Sequence, residues 1–381
     1  MNTNIKNAKA LVFSLLPLKK TGGGENYTLN CAISISASGI ECDLISPCER
    51  EFVSDRSTGR FYRAFNMRTL IGGDISYEKQ ESFRGILAQI PDYDVICIHQ
   101  YLAGISVYDL LMLTHSEQKI IFTNLGFEEN GIDFWIRYNN LPNHFFIEIS
   151  KYSADRFKKV AKNISYVYAG AWKKQLEKIS ATKFAEKNKF VSVGRILPHK
   201  AYEIAIDALN KEQTLVLVGP YGENDPYTKY LNTKSAGKNV YLSGEVLSSE
   251  RDSFIASSIA LIANSASTTY QNQKFENSEL LGLVIIEALL NNTLPITSDQ
   301  PALKEVMDVI ELKDFIYPER DSKYLRKRLD FVLGLTEQEY SNLIAKARKN
   351  VEKQFLWDNY WLRVEEKITQ VLESKKVSSK V

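Results

Sequence analysis

Short runs of apolar, largely β-branched residues recur along the chain, and between them the apolar positions take up helical spacing. In the first part the runs fall at 11–16 (LVFSLL), 42–46, 94–98, 119–123, 144–149 and 165–168. Residues 26–38 and 106–116 between them read as amphipathic helices, the former closed by Gly39 as a helix C-cap. In the second part the runs fall at 190–193, 214–218, 240–242, 259–263 and 294–298, separated by helical patterns such as 202–210 and 283–291. Near-continuous apolar strands alternating with helices predict parallel sheets covered on both faces. Two sets of five or six strands are too many for one open sheet in one domain. The pattern therefore predicts an α/β protein of two Rossmann-like domains, residues 1–172 and 189–355, joined by a polar linker at 173–188. Beyond residue 320 the chain turns helical and strongly charged.

Composition narrows the class. Of 381 residues, 44% are hydrophobic and 25% charged, the balance of a folded globular protein. No run approaches the roughly 18 to 20 apolar residues of a membrane span. The short apolar stretch near the N-terminus is followed by glycines, without a small-residue cleavage pattern, and is expected to be a first strand and not a signal peptide. Cys31, Cys42, Cys48 and Cys97 form no CxxC pair, which fits free thiols in a reducing cytosol better than a disulfide frame or a zinc site. A net charge of +2 argues against a nucleic-acid binder. The charge is uneven, however: residues 151–185 carry nine Lys/Arg against two acids, a surplus of seven. That segment reads as a solvated basic face or as a docking site for anionic lipid or polymer.

In open parallel sheets, ligands bind beyond the carboxyl ends of the strands. After the first strand come Gly22, Gly23 and Gly24 ahead of a helix, a turn that lets backbone amides approach a phosphate or sugar, or a tight turn and nothing more. Neither a dinucleotide fingerprint nor a P-loop is present. After strand 190–193 come Gly194, Arg195 and, five residues on, Lys200, two cations able to grip a diphosphate from two sides. A third feature is Glu279 on a loop and Glu287 inside the apolar helix 283–291. A carboxylate among Leu, Val and Ile needs a partner, either sugar or ribose hydroxyls or an Arg from elsewhere in the chain. Gly282, at the helix start, would supply amides for an adjacent phosphate.

GRILPHK, LVGPYG, VYLSGEV and SELLGLVIIEALLNNTLPITSD, in this order, resemble the C-terminal domain of retaining GT-B glycosyltransferases of family GT4, most specifically across residues 190–306. That family carries G-R-x4-K and E-x7-E motifs, here Arg195/Lys200 and Glu279/Glu287. The resemblance implies two Rossmann-like domains facing across a cleft, with a last helix, residues 356–381, returning to the first domain. It implies that Arg195 and Lys200 stabilise the donor diphosphate, Glu279 binds the donor sugar, and Glu287 holds the ribose. Amides of Leu281, Gly282 and Leu283 would reach sugar and phosphate, and the turn at Gly244 and Glu245 would frame the base. The implied activity is transfer from a nucleotide-diphosphate sugar, as co-substrate, to a glycan, lipid-linked or small-molecule acceptor in surface polysaccharide or glycoconjugate assembly. The chain would be cytoplasmic, with peripheral contact at the inner face of the membrane through 151–185. A catalytically silent sugar-nucleotide-binding subunit and a GT-B epimerase are the alternatives.

Three departures from the family stand out. Leu125 replaces the His of the family's T-x-H-G turn, and His99, next to strand 94–98, is the nearest substitute, as a catalytic group or a structural histidine. Ala201 stands where a Gly commonly follows the Lys. The polar stretch 264–278 is long, and either shapes the rim of the site or is a surface loop. Asp92-Tyr93-Asp94 matches a metal-binding DxD, but it precedes a strand where such a motif should follow one; it is expected to be a turn, and no cofactor or catalytic metal is expected. Trp357, Tyr360 and Trp361 are expected to pack in the core.

Overall fold

The computed structural model describes residues 8–14, 23–46, 52–53, 62–66, 88, 90–99, 110–126, 136–137, 139–177 and 182–378. The chain divides into two units, residues 1–169 together with 357–381, and residues 170–356.

The first unit is built on an eight-stranded sheet: β1 (Lys9–Ser14), β2 (Glu41–Ser46), β3 (Phe52–Val53), β4 (Tyr62–Asn66), β5 (Val95–His99), β6 (Lys119–Thr123), β7 (His144–Glu148) and β8 (Ile164–Tyr166). Its order is β3-β4-β2-β1-β5-β6-β7-β8, parallel throughout except for β3 against β4. β3 and β4 were not foreseen; β4 reads YRAFN and lacks the apolar run that marks a buried strand. Leu11, Phe13, Ile96, Ile98, Ile120 and Phe122 fill the core, which explains the unbroken apolar runs of β1, β5 and β6. Helix α1 (Gly23–Ala37) packs on β1 and β2, and Gly39 closes it with a left-handed φ of 94°. Helix α2 (Lys151–Phe157) follows β7, its N-terminus capped by the Ser150 hydroxyl, which accepts from Ser153 N.

The second unit holds helix α3 (Lys173–Glu177) and a six-stranded, fully parallel sheet. Its elements run β9 (Lys189–Val193), α4 (Tyr202–Ala208), β10 (Thr214–Val218), α5 (Pro226–Lys234), β11 (Asn239–Gly244), α6 (Ser248–Ala256) and β12 (Ser258–Ala263). They continue with α7 (Leu283–Leu290), β13 (Leu294–Ser298), α8 (Pro301–Val309), β14 (Ile316–Tyr317), α9 (Ser322–Leu333) and α10 (Glu337–Gln354). The order β11-β10-β9-β12-β13-β14 is that of a dinucleotide-binding sheet, with its direction of winding reversing between β9 and β12. A last helix, α11 (Tyr360–Ser378), belongs to the first unit and packs on α1 and β8. There Trp357, Tyr360 and Trp361 are buried, and the Tyr360 hydroxyl lies 2.7 Å from that of Tyr27 on α1. Among the described residues no helix is long and apolar enough to cross a membrane.

Candidate functional site

The chain leaves β9 and β10 through two glycines that no other residue could replace without movement. Gly219 has φ 150°, and a Cβ there would sit 2.1 Å from the carbonyl oxygen of Gly194, itself at φ 146°. Gly219 N also donates to Gly244 O at 3.0 Å, so three strand ends are drawn together. From this pinch Arg195 emerges exposed, with no ion-pair partner among the described residues. A single helical turn, Pro198–Lys200, is then closed by Ala201 at φ 47°, ψ 42°. This left-handed backbone explains the family's glycine: it suits Gly at no steric cost, and Ala tolerates it at roughly 1 kcal/mol.

Lys200 is brought to Glu279. Its Nζ contacts Glu279 Oε1, the two side chains being 20% and 17% exposed. Ser265, two residues beyond β12, donates its hydroxyl to the same oxygen at 2.9 Å. The loop after β9, the end of β12 and the approach to α7 therefore converge where the strand order reverses. Just beyond, Gly282 enters α7 at φ 86°; a Cβ on it would lie 2.5 Å from Leu303 Cδ2. Leu281 and Gly282 are buried and Leu283 half-buried at this helix start. Gly244 closes β11 at φ 75°, with Glu245 exposed beside it.

Glu287 lies in the apolar helix α7, and its partner is an Arg from elsewhere in the chain: Arg251 Nη1 of α6 stands 3.4 Å from Glu287 Oε1. Burial pushes the Glu287 carboxyl above the usual carboxylate range, and Arg251 opposes that shift. No local spacing could have pointed to Arg251, which lies on a different helix.

The polar stretch 264–278 borders this group and is firmly braced. Thr268 and Lys274 pair antiparallel, Phe275 N donates to Ser267 O at 2.7 Å, and Asn272 supplies the turn at φ 62°. Ser267 N donates to Glu319 Oε2 at 2.7 Å, and Gln300 Nε2 donates to the same oxygen. Arg320 Nη1 donates to Thr268 O at 2.9 Å and reaches buried Glu203 at 3.1 Å. Tyr270 stacks on Tyr230 with centroids 4.6 Å apart. At its near end Phe275, 41% exposed, lies flat on the His199 ring at 4.1 Å. Burial, and then the neighbouring Lys200 charge, push the His199 imidazole down to about 4, so it is neutral above that pH. Ser265, Phe275 and Arg320 escaped the sequence reading because their partners lie far off in the chain.

The first-unit residues are placed differently. Gly23 and Gly24 form the first turn of α1 and not a loop before it, a correction to the expected start at residue 26. Glu25 in that turn favours the helix terminus electrostatically, and first-turn amides have no helical partner to lose. Gly22 and Cys48 lie outside the described residues. His99 is the last residue of β5, 1% exposed, with Nδ1 3.0 Å from the Thr28 hydroxyl and its ring edge-on to Tyr27. Asn124, in the turn that carries Leu125, accepts from Gly126 N at 3.1 Å. Asp94 accepts from Lys9 N at 2.7 Å, and the Tyr93 hydroxyl donates to Asp43 at 2.7 Å, so the DYD stretch ties strand starts and neighbours together. Among the described residues no three His, Cys, Asp or Glu side chains gather as metal ligands would. In the basic segment, Lys151 and Lys158 both pair with Asp155, and Lys178 lies outside the described residues.

Residues 158–350, half of the chain, match the family described as glycosyl transferases group 1. The chain belongs to this family. It is a GT4 glycosyltransferase, and its fold is GT-B. A glycosyltransferase from Rickettsia africae ESF-5 superposes with a TM-score of 0.69 at 14% identity, over 96% of this chain and 99% of that one. WaaG, a glycosyltransferase involved in lipopolysaccharide biosynthesis, gives 0.61 at 13% identity, over 94% and 99%. The trehalose-6-phosphate enzyme from E. coli bound with UDP-2-fluoro glucose gives 0.63 at 11% identity, over 95% and 99%. Such identities carry the fold alone. No curated protein matches the glycosyltransferase in sequence.

Proposed function

We propose that this glycosyltransferase moves a hexosyl group, with retention, from a nucleotide-diphosphate sugar to an acceptor hydroxyl in surface polysaccharide or glycoconjugate assembly. The observation that carries the reading is the meeting of Lys200, beside exposed Arg195, with Glu279 at the switch point of the second sheet. Arg195 and Lys200 hold the diphosphate and offset the charge that builds on it as the bond to the sugar breaks. Glu279 binds sugar hydroxyls near the reacting carbon. Glu287 accepts from the ribose with Arg251 beside it, and Leu281, Gly282 and Leu283 present amides to sugar and phosphate. Gly244 and Glu245 frame the base. The acceptor oxygen bonds to the anomeric carbon from the face the diphosphate leaves, and the departing phosphate takes the proton. The charge is supplied by the two cations, and no metal is assigned. His99, out of contact with solvent, serves the fold of the first unit in this reading and not the transfer.

WaaG and the UDP-2-fluoro glucose complex supply the analogy for a polysaccharide pathway and a nucleotide donor. The acceptor is a glycan, a lipid-linked sugar or a small molecule. The enzyme is placed in the cytoplasm, with residues 151–185 as a peripheral contact to anionic membrane. A thermal-shift screen against UDP, GDP, ADP and CDP sugars identifies the donor, which must raise the melting temperature by binding the folded state. Glu279→Gln should then chiefly lower kcat, and Glu287→Gln chiefly raise the donor KM. No stabilisation by any of these sugars, or two silent variants, would end the donor assignment.

A further inference from the structure

Two cations stand after β9, and they are not equivalent. Arg195 is exposed, without an ion pair among the described residues, whereas Lys200 is committed to Glu279. The carboxylate is itself closely held. Lys200 Nζ and Ser265 Oγ converge on its Oε1, Ser265 is buried, and the Ser265 carbonyl accepts from Ser298 Oγ at 2.6 Å. A diphosphate that recruits Lys200 shares its ammonium with Glu279 or draws it away, and either way a largely shielded carboxylate loses counter-charge and lies close to new negative charge. A free nucleoside diphosphate gives Glu279 nothing in return. A sugar-bearing diphosphate brings hydroxyls, which donate to the carboxylate and replace what Lys200 gave up.

We infer that the Lys200–Glu279 pair makes this site select a sugar-bearing diphosphate over a free one, so that the spent nucleoside diphosphate leaves instead of occupying the enzyme. The inference rests on the donor reading above and adds a specificity role for Glu279 to it. It also predicts an outcome that the donor reading alone does not: removing the carboxylate should make the product bind better.

The test is calorimetric titration of inorganic pyrophosphate and of UDP, GDP, ADP and CDP into the wild type, Glu279→Gln and Lys200→Ala. The best of these ligands should bind Glu279→Gln at least about tenfold more tightly than wild type, and Lys200→Ala more weakly than wild type. The matching nucleotide sugar should bind Glu279→Gln no better than wild type. Weaker binding by Lys200→Ala with equal affinities for wild type and Glu279→Gln would overturn the inference and leave the donor reading standing. Equal affinities in all three proteins, or binding in none, would overturn the donor reading as well. Glu279→Ala provides the same comparison if the amide disturbs folding.

Discussion

The two sheets share a winding pattern but treat their switch points in opposite ways. In the first unit the reversal lies between β1 and β5, and the strand-end residues there, Ser14 and His99, pair in register. They are sealed: His99 is bonded to Thr28, Thr28 reaches Ser14 at 3.4 Å, Tyr27 lies edge-on to His99, and Trp357 and Tyr360 pack on Tyr27. In the second unit the reversal lies between β9 and β12, and an ion pair stands there within reach of water. One switch point has been filled with packing and side-chain hydrogen bonds, the other keeps an ion pair between partly exposed side chains. Topology therefore offers a binding position without requiring that it be used for charge chemistry.

The comparison breaks most visibly at the charged end. Lys200→Ala or Arg195→Ala should cost roughly 3 kcal/mol of transition-state stabilisation, about a hundredfold in turnover, with folding retained. Nucleoside diphosphate release measures it, and near-normal turnover in both would remove the charge role. Next comes the pinch behind that end. Gly219→Ala should lose about 2 to 3 kcal/mol in denaturant titration, because its Cβ would strike the Gly194 carbonyl. Gly237→Ala, at φ 76° in open space, is the control and should lose only about 1 kcal/mol.

His199 gives the second unit a pH signature. Its folded value, near 4, is below that of the unfolded chain, so the stability it contributes is full above about pH 6.5 and declines as pH falls toward 4. His199→Gln should flatten that acid limb, by an amount on the order of 2 kcal/mol, while leaving stability at pH 7 to 8 nearly flat with pH; an unchanged limb would contradict the half-buried, neutral imidazole. At the sealed end, Thr28→Val should lower stability by about 1 kcal/mol without changing donor affinity. A shift in donor affinity instead would mean that His99 and Thr28 act on the ligand. The smallest effect is none at all: EDTA should leave turnover intact, since Asp94 is already engaged by Lys9 N at the entry to β5. Loss of activity restored by manganese would reverse that assignment.

Legibility followed the range of the interaction. The buried parallel strands were readable because each is a continuous apolar run, and only the polar β4 and the two-residue β3 and β14 escaped. Lys200 and Glu279 could be singled out by residue type and motif, but their mutual contact spans 79 residues and leaves no mark on either segment. The same holds for Arg251 with Glu287 and for the braces that fix 267–275. Glycine was misread at Gly23 and Gly24, where its permissiveness suggested a loop and the helix simply starts early. It was informative at Gly39 and Gly282, where a left-handed φ ends or begins a helix.

The first unit draws part of its core from the far end of the chain, and this orders events during synthesis. Tyr27 is made early but meets the Tyr360 hydroxyl and the Trp357 ring only after residues 170–356 have been translated. Residues 170–356 can therefore complete their sheet on the ribosome while α1 waits with its Tyr27 face uncovered. A chain released at residue 356 would hold the whole of the second unit and an unfinished first one. The nascent first unit is then the natural client of a chaperone, although it is the first to leave the exit tunnel.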